Sequence, residues 1–224
     1  MNSLSYILWD WNGTLLNDID AEVAALNLSL ARRGLPAITK EFFRERFAFP
    51  ARSFYRLVGM DVPDCDWDAL AKEYHDNYAT QARGLAEDAI AALELVSREG
   101  GGQSIISALH QRLLEKETAD KGVSGFMEYT YGVDNLDGGS KLERAQELVD
   151  RIRADHDGEI LRFTLIGDSL HDADVAAALG VGCVLYSGGS HAASRLAAVA
   201  PTCDTLVDAV SLALQTPLNS DILM

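Results

Sequence analysis

The sequence is short of basic residues, cysteine and proline, and it has no long apolar run. Lys and Arg number 19 against 34 Asp and Glu, a formal net charge of −15 over 224 residues. A chain whose main partner is nucleic acid or an anionic membrane needs a net basic surface, so this deficit argues against both. The three cysteines, Cys65, Cys183 and Cys203, are an odd number without C-x-x-C spacing. They are expected as free buried thiols, since neither a disulfide nor a zinc framework fits that pattern. Charge, Gly or Pro interrupts every apolar stretch well short of the roughly 20 residues that a membrane-spanning helix needs. The opening M-N-S-L-S-Y-I-L-W-D has no basic flank and Asp10 stops its apolar run early, so a cytoplasmic chain without a secretory signal is expected.

What is present is an ordinary globular composition, 48% hydrophobic and 24% charged, which a disordered acidic tail would not have. Short apolar runs at 4–9, 103–107, 161–166 and 181–186, with a weaker one at 205–207, alternate with amphipathic stretches at 86–98, 109–120, 140–154, 170–179 and 191–199. That alternation predicts an α/β fold built on a parallel sheet with crossover helices. Residues 17–82 break the rhythm. They hold the helical patterns A-E-V-A-A-L-N-L-S-L-A-R-R, F-F-R-E-R-F and D-A-L-A-K-E-Y-H, with a stop and restart at Gly34 and Pro36 and no convincing strand. A helical insert over 17–82 within a core of 1–16 and 83–224 is therefore expected, lying over the carboxyl ends of the strands, where open α/β sheets bind ligands.

Four elements carry candidate chemistry. Asp10 ends the first apolar run and is followed by W-N-G-T-L; a carboxylate there, before a Gly that permits a tight turn, either faces a ligand crevice or merely caps the turn. L-I-G-D-S-L-H-D places Asp168 and Asp172 on one face of an opening helical turn, suited to hard oxygen ligation of Mg²⁺ or simply to the helix dipole. In S-K-L-E, Ser140 and Glu143 have capping-box spacing, and Lys141 in the first turn makes either an anion site or a solvated surface charge. Ser107, ending S-I-I-S, offers a hydroxyl to a phosphate oxygen or to a helix start.

In this order and spacing, D-W-N-G-T-L, Ser107, Lys141 and G-D-S-L-H-D resemble the four motifs of the haloacid dehalogenase-like (HAD) hydrolases across essentially the whole chain, and the insert resembles the C1 cap of phosphoglycolate phosphatase-like members. The resemblance implies a Rossmann-like core with helices on both faces and a Mg²⁺-dependent phosphohydrolase acting on a small phosphorylated metabolite, as a monomer or homodimer. It implies Asp10 as the nucleophile of an aspartyl-phosphate route. Mg²⁺ would sit on Asp10, the backbone carbonyl of Asn12 and Asp168, with Asp172 as a further ligand or orienter. Ser107, Lys141, Gly13 and Thr14 would hold the phosphoryl oxygens.

Asn12 departs from the family pattern, which has Asp at this position as acid and base. An amide exchanges no proton near neutral pH, and losing that group typically forfeits roughly 10²- to 10⁴-fold in rate. Three readings follow: a good leaving group such as an acyl phosphate, a proton from His171, His110 or His75, or a weakly active chain, with a non-catalytic phosphometabolite-binding or interaction protein on the same scaffold as the alternative. A phosphonatase-like hydrolase is a further alternative, needing a cap lysine, here Lys40 or Lys72. Arg46, Arg52 and Arg56 either face the site and select an anionic substrate or pair with Glu41 and Glu45. Phe42, Phe43, Phe47, Phe49, Phe54 and Tyr55 are expected to pack the cap core and Trp9 the sheet. Trp11 is placed to touch cap or substrate, and His191 reads as a helix-start residue.

Overall fold

The structure, a computed structural model, describes residues 3–134 and 141–215. Its first half contains β1 (Ser3–Trp9), β2 (Leu16–Asn17), α1 (Ile19–Arg32), α2 (Lys40–Arg46), α3 (Ala51–Leu57), α4 (Trp67–Ala79), β3 (Gly84–Leu85), α5 (Ala89–Arg98), β4 (Gly102–His110) and α6 (Gln111–Asp120). It continues through β5 (Thr130–Val133), α7 (Leu142–Asp155), β6 (Ile160–Gly167), α8 (Leu170–Leu179), β7 (Gly182–Tyr186), α9 (Ala193–Leu196), β8 (Thr202–Cys203) and α10 (Leu206–Gln215).

The main sheet is parallel with strand order β5-β4-β1-β6-β7-β8. Its central strands are mainly apolar because both faces are covered. Along β1, Ile7 and Trp9 enter one core with Leu93 and Val96 of α5 and Val210 of α10. Tyr6 and Leu8 enter the other with Leu148 and Ile152 of α7 and Val175 of α8. The two-residue period of a strand divides them in this way. Register then fixes the site, since Trp9 pairs with Ile105 on one side and Ile166 on the other. Asp10, Ser107 and Asp168 follow within two residues of those positions and emerge at one edge, where the chain departs from β1 to neighbours on either side.

Helices α1 to α4 share a separate core that includes Leu26, Leu30, Phe43, Phe54 and Leu70. Helix α1 stops at Gly34, whose φ of 64° is available to Gly without strain. The helical block is tied to the end of the sheet by Ala192 N–H and Arg195 Nη1, which donate to the Arg44 carbonyl at 3.0 and 2.8 Å. The Arg44 guanidinium donates in turn to the carbonyl of Ser187.

Several expectations need correction. Strand β5 was not anticipated, because T-Y-G-V is four residues long and carries a Gly. The last strand lies at Thr202–Cys203, while Thr205 Oγ1 accepts from Asp208 N–H at 3.1 Å and opens α10, which absorbs residues 206–207. The antiparallel pair β2–β3 at the base of the insert was also missed. Trp11 reaches no ligand space: it is fully buried and its Nε1 donates to Glu117 Oε2 at 2.9 Å. Cys65 is exposed and the other two thiols are half-buried, all three free. Among the described residues no helix is long and apolar enough to cross a membrane.

Candidate active site

Asp10 stands at the tip of β1 and begins a turn closed by Thr14 N–H and Leu16 N–H onto the Trp11 carbonyl, at 3.2 and 2.9 Å. The turn needs Gly13 on two counts. Its φ is 76°, and a Cβ there would lie 2.2 Å from Asp168 Oδ2. Gly189 presses on the same oxygen from the other side, where a Cβ would also fall at 2.2 Å, and Ser190 N–H donates to it at 2.5 Å. Asp168 is thus clamped between two backbones. Thr14 Oγ1 lies 3.3 Å from Asp10 Oδ2 and 3.2 Å from Asp168 Oδ1, donating between the two carboxylates.

Asp172 is held more fully. With Ser169 it forms the capping box of α8, and its Oδ2 accepts from Ser169 Oγ at 2.6 Å, Ser169 N–H at 3.0 Å and Asp168 N–H at 3.2 Å. Its Oδ1 accepts from Lys141 Nζ at 2.6 Å, and the same ammonium donates to Asp10 Oδ1. Lys141 immediately precedes α7; Ser140, the other half of the expected capping box, lies outside the described residues. Ser107 is buried and its Oγ accepts from Leu109 N–H at 3.0 Å, which leaves its hydrogen free to donate toward the cavity.

One oxygen from each of Asp10, Asp168 and Asp172 lies within 4.8 Å of the others, all three residues buried. Burial pushes the Asp10 carboxyl up to about 7 against the pull of Lys141. Burial, then the charges of Asp10 and Asp172, hold Asp168 well above the usual carboxylate range. Burial also opposes ionisation of Asp172, but Lys141 and the Ser169 hydroxyl outweigh it and its pKa is lowered. Three crowded carboxylates served by one ammonium are a hard-oxygen donor set with charge to spare, and they fit a divalent cation such as Mg²⁺.

The space between this cluster and the helical block is a cavity of about 90 Å³. Asp10, Asn12, Ser107 and Lys141 line its sheet side, and Glu22, Phe47 and Phe49 line its upper wall. The aromatic stretch therefore divides. Phe43, Phe54 and Tyr55 pack the insert's core, Phe47 packs against that core and also lines the cavity, the exposed Phe49 lines the cavity, and Phe42, expected in the core, is exposed. Asn12 is engaged elsewhere, its Nδ2 donating to Asp18 Oδ2 at 2.7 Å and to the Tyr78 hydroxyl at 3.1 Å. Asp18 also accepts from Gly13 N–H at 2.7 Å and from Tyr78.

Asp18 and Glu22 escaped the sequence reading because they resemble acids at a helix start. Asp18 is indeed the N-cap of α1, but its side chain makes no capping hydrogen bond and serves the Asn12–Gly13 turn instead. Of the three candidate histidines, only His171 lines the cavity, 5.1 Å from the ring of Phe49. His110 accepts from Arg112 N–H at the start of α6. Arg52 pairs with Asp64 and Arg56 with Asp61, while Arg46 is exposed. None of the three lines the cavity, and neither Glu41 nor Glu45 is the partner of Arg52 or Arg56. Lys40 and Lys72 pair with Asp20 and Asp76 at 2.8 and 2.7 Å, also away from the cavity. His191 is buried beside Phe47 and accepts from Leu170 N–H at 3.0 Å; burial pushes its pKa down to about 4.

A parallel sheet with its acidic cluster spread over separate strand ends, beneath a helical insertion after the first strand, singles out one class of α/β hydrolase. The model of the haloacid dehalogenase-like hydrolase family matches residues 7–177, and the chain belongs to that family. In three dimensions it is similar to a haloacid dehalogenase-like family hydrolase from Streptococcus pneumoniae (16% identity, TM-score 0.73, covering 95% of this chain and 99% of that one). It is similar also to a predicted phosphatase from Clostridium acetobutylicum (13%, TM-score 0.77, 96% and 100%). A third is a predicted phosphoglycolate phosphatase from Haemophilus somnus (15%, TM-score 0.70, 95% and 99%). No curated protein matches in sequence. As 219 chains of solved structure match, the fold is widespread and the substrate has to be argued from the site.

Proposed function

We propose that this protein is a Mg²⁺-dependent phosphohydrolase that acts on a small phosphorylated metabolite through a phosphorylated Asp10. The observation that carries this reading is the placement of Asp10: one oxygen bound by Lys141, the other beside Thr14, at the floor of a cavity that Ser107 also lines. An Asp10 oxygen attacks phosphorus as the bond to the leaving oxygen breaks and the leaving group takes the electron pair. Water then displaces Asp10 from the acyl phosphate, returning the carboxylate and releasing phosphate. Lys141 and Ser107 donate to the phosphoryl oxygens, and Lys141 also holds Asp10 in line with its target. Asp10, Asp168 and the Asn12 carbonyl would hold the cation, with Asp172 orienting Lys141. When bound, Mg²⁺ supplies the charge that lets an anionic nucleophile and an anionic phosphoryl group meet.

Residues 17–82 act in this reading as a cap whose closure excludes bulk water. Asn12 cannot protonate a leaving oxygen, and its amide is already committed to Asp18 and Tyr78. The favoured substrates therefore have a leaving group that departs without a proton, as an acyl phosphate does. The test is a panel of acyl, aryl and alkyl phosphates with the present chain and with Asn12→Asp. Acyl phosphates should be the best substrates of the present chain, and alkyl phosphates turned over as fast would overturn the leaving-group argument. Asn12 also keeps a second reading in play, a non-catalytic phosphometabolite-binding protein, for which the panel would bind without turnover.

A further inference from the structure

Four carboxyl groups, those of Asp10, Glu22, Asp168 and Asp172, line the cavity, and Lys141 is the one lysine or arginine among the described residues that does so. Lys141 is already shared between Asp10 and Asp172. The basic residues of the insert are spent elsewhere, Lys40 on Asp20, Arg52 on Asp64 and Arg56 on Asp61. Residues 135–140 and 216–224, outside the description, contain no Lys or Arg that would alter this balance. Even with a divalent cation on the triad, the four carboxylates when ionised outnumber the positive charge, and a phosphate dianion entering the cavity would deepen that excess.

Among the described residues the upper wall adds a further acid and no base. Glu22, one turn into α1, has a long hydrogen bond from Ser190 Oγ at 3.4 Å and no ion pair among the described residues. Burial first, then the charges of Asp18 and Asp168, push its pKa well above the carboxylate range, the state of a carboxyl that lacks a counter-charge. Phe47 and Phe49 line the same cavity. A carboxylate and aromatic rings lining one cavity offer an organic ammonium an ion pair and the negative faces of the rings.

We infer that Glu22 selects phosphate compounds whose non-phosphate end carries a protonated amine, and that carboxylate-bearing compounds such as phosphoglycolate are disfavoured. This rests on the phosphohydrolase reading above, and it concerns the group beyond the phosphoryl centre; the nature of the leaving atom is governed at Asn12.

Three small compounds of similar shape separate the charges: O-phosphoethanolamine, propyl phosphate and phosphoglycolate. Each is measured as an inhibitor of Mg²⁺-dependent acetyl phosphate hydrolysis, and by calorimetric titration, which needs no turnover. The wild-type protein should bind O-phosphoethanolamine about tenfold or more tightly than propyl phosphate, as one buried charge-assisted contact provides, with phosphoglycolate weakest. Glu22→Gln, isosteric and relieved of like-charge repulsion, should shrink the first gap to about threefold or less. A gap absent from the wild type or unchanged in Glu22→Gln, or phosphoglycolate binding tightest, overturns the inference while acetyl phosphate turnover keeps the phosphohydrolase reading standing. Weaker Mg²⁺ activation in Glu22→Gln with an unchanged gap would assign Glu22 to the cation and overturn it likewise. Absence of both acetyl phosphate turnover and binding of all three compounds overturns the two together.

Discussion

Lys141 pairs with two of the three aspartates of the cluster, Asp10 and Asp172, and not with the third. Asp168 takes hydrogen bonds from Ser190 N–H and Thr14 but no cation, so its ionisation is purchased from the fold. Asp168→Asn should therefore raise the melting temperature of the metal-free protein at pH 7.5 by roughly 2–4 °C, the shift that about 1 kcal/mol produces in a chain of this size. The same change should remove activation by Mg²⁺; a lowered melting temperature would show that Asp168 is ionised at no cost. Asn12 poses the complementary case. Asn12→Asp sets a carboxyl against Asp18, within 2.7 Å of the present amide, where two carboxyls share a proton and one pKa rises. An acid of that kind suits leaving-group protonation. The rate on alkyl phosphates is expected to rise roughly 10²- to 10⁴-fold, with a much smaller change on acyl phosphates. An equal gain on both would mean that residue 12 acts through something other than the leaving group.

Among the elements, the loop from Ser187 to α9 joins the halves of the molecule. It clamps Asp168 through Gly189 and Ser190, accepts the Arg44 guanidinium on Ser187, and sends Ala192 N–H and the Arg195 side chain to the end of α2. His191 lies within it, buried against Phe47 and bonded to the first residue of α8. Burial lowers its pKa from 6.5 to about 4, so between those values the unfolded chain binds more protons than the folded one and stability falls as the pH falls. His191→Asn should flatten that descent, removing up to about 3 kcal/mol of it by pH 4. Denaturant titrations of both proteins between pH 7 and 4 check this, and parallel curves would contradict it. Much of the element-level plan was legible in the sequence. Asp10, Ser107 and Asp168 lie at the ends of apolar runs and Asp172 four residues beyond Asp168, so a parallel sheet alone gathers them. Glu22 and Asp18 were hidden because an acid early in a helix has a sufficient local explanation, and Arg52 and Arg56 found Asp64 and Asp61 across loops that no periodicity encodes. β5 was missed because it is only four residues long and carries a Gly, and Trp11 was misplaced because its register against α6 depends on tertiary packing.

At the scale of the whole molecule, the charge of −15 argues against polyanionic partners. The site shows where part of it is concentrated: Asp10, Asp18, Glu22 and Asp168 are all held above their ordinary pKa values by burial. For each, the folded state binds more protons than the unfolded one above the ordinary carboxylate range, so these groups make stability fall as pH rises, for Asp10 between about 4 and 7. Thermal unfolding in a chelator should accordingly show a net loss of stability from pH 5.5 to 8, against the smaller opposing gain that His191 contributes below about pH 6.5. Millimolar Mg²⁺ should restore it, more at pH 8 than at pH 5.5; an equal or absent Mg²⁺ effect at the two values would sever the acidic cluster from cation binding. The central claim, that Asp10 is a nucleophile served by that cation, has a direct test. The protein is incubated with acetyl phosphate and Mg²⁺, quenched in acid, reduced with borohydride to fix any acyl phosphate, and mapped by peptide mass spectrometry. Modification at Asp10, lost with chelator and in Asp10→Asn, is the predicted result; turnover of acetyl phosphate with Asp10 unmodified, or undiminished in Asp10→Asn, would contradict it.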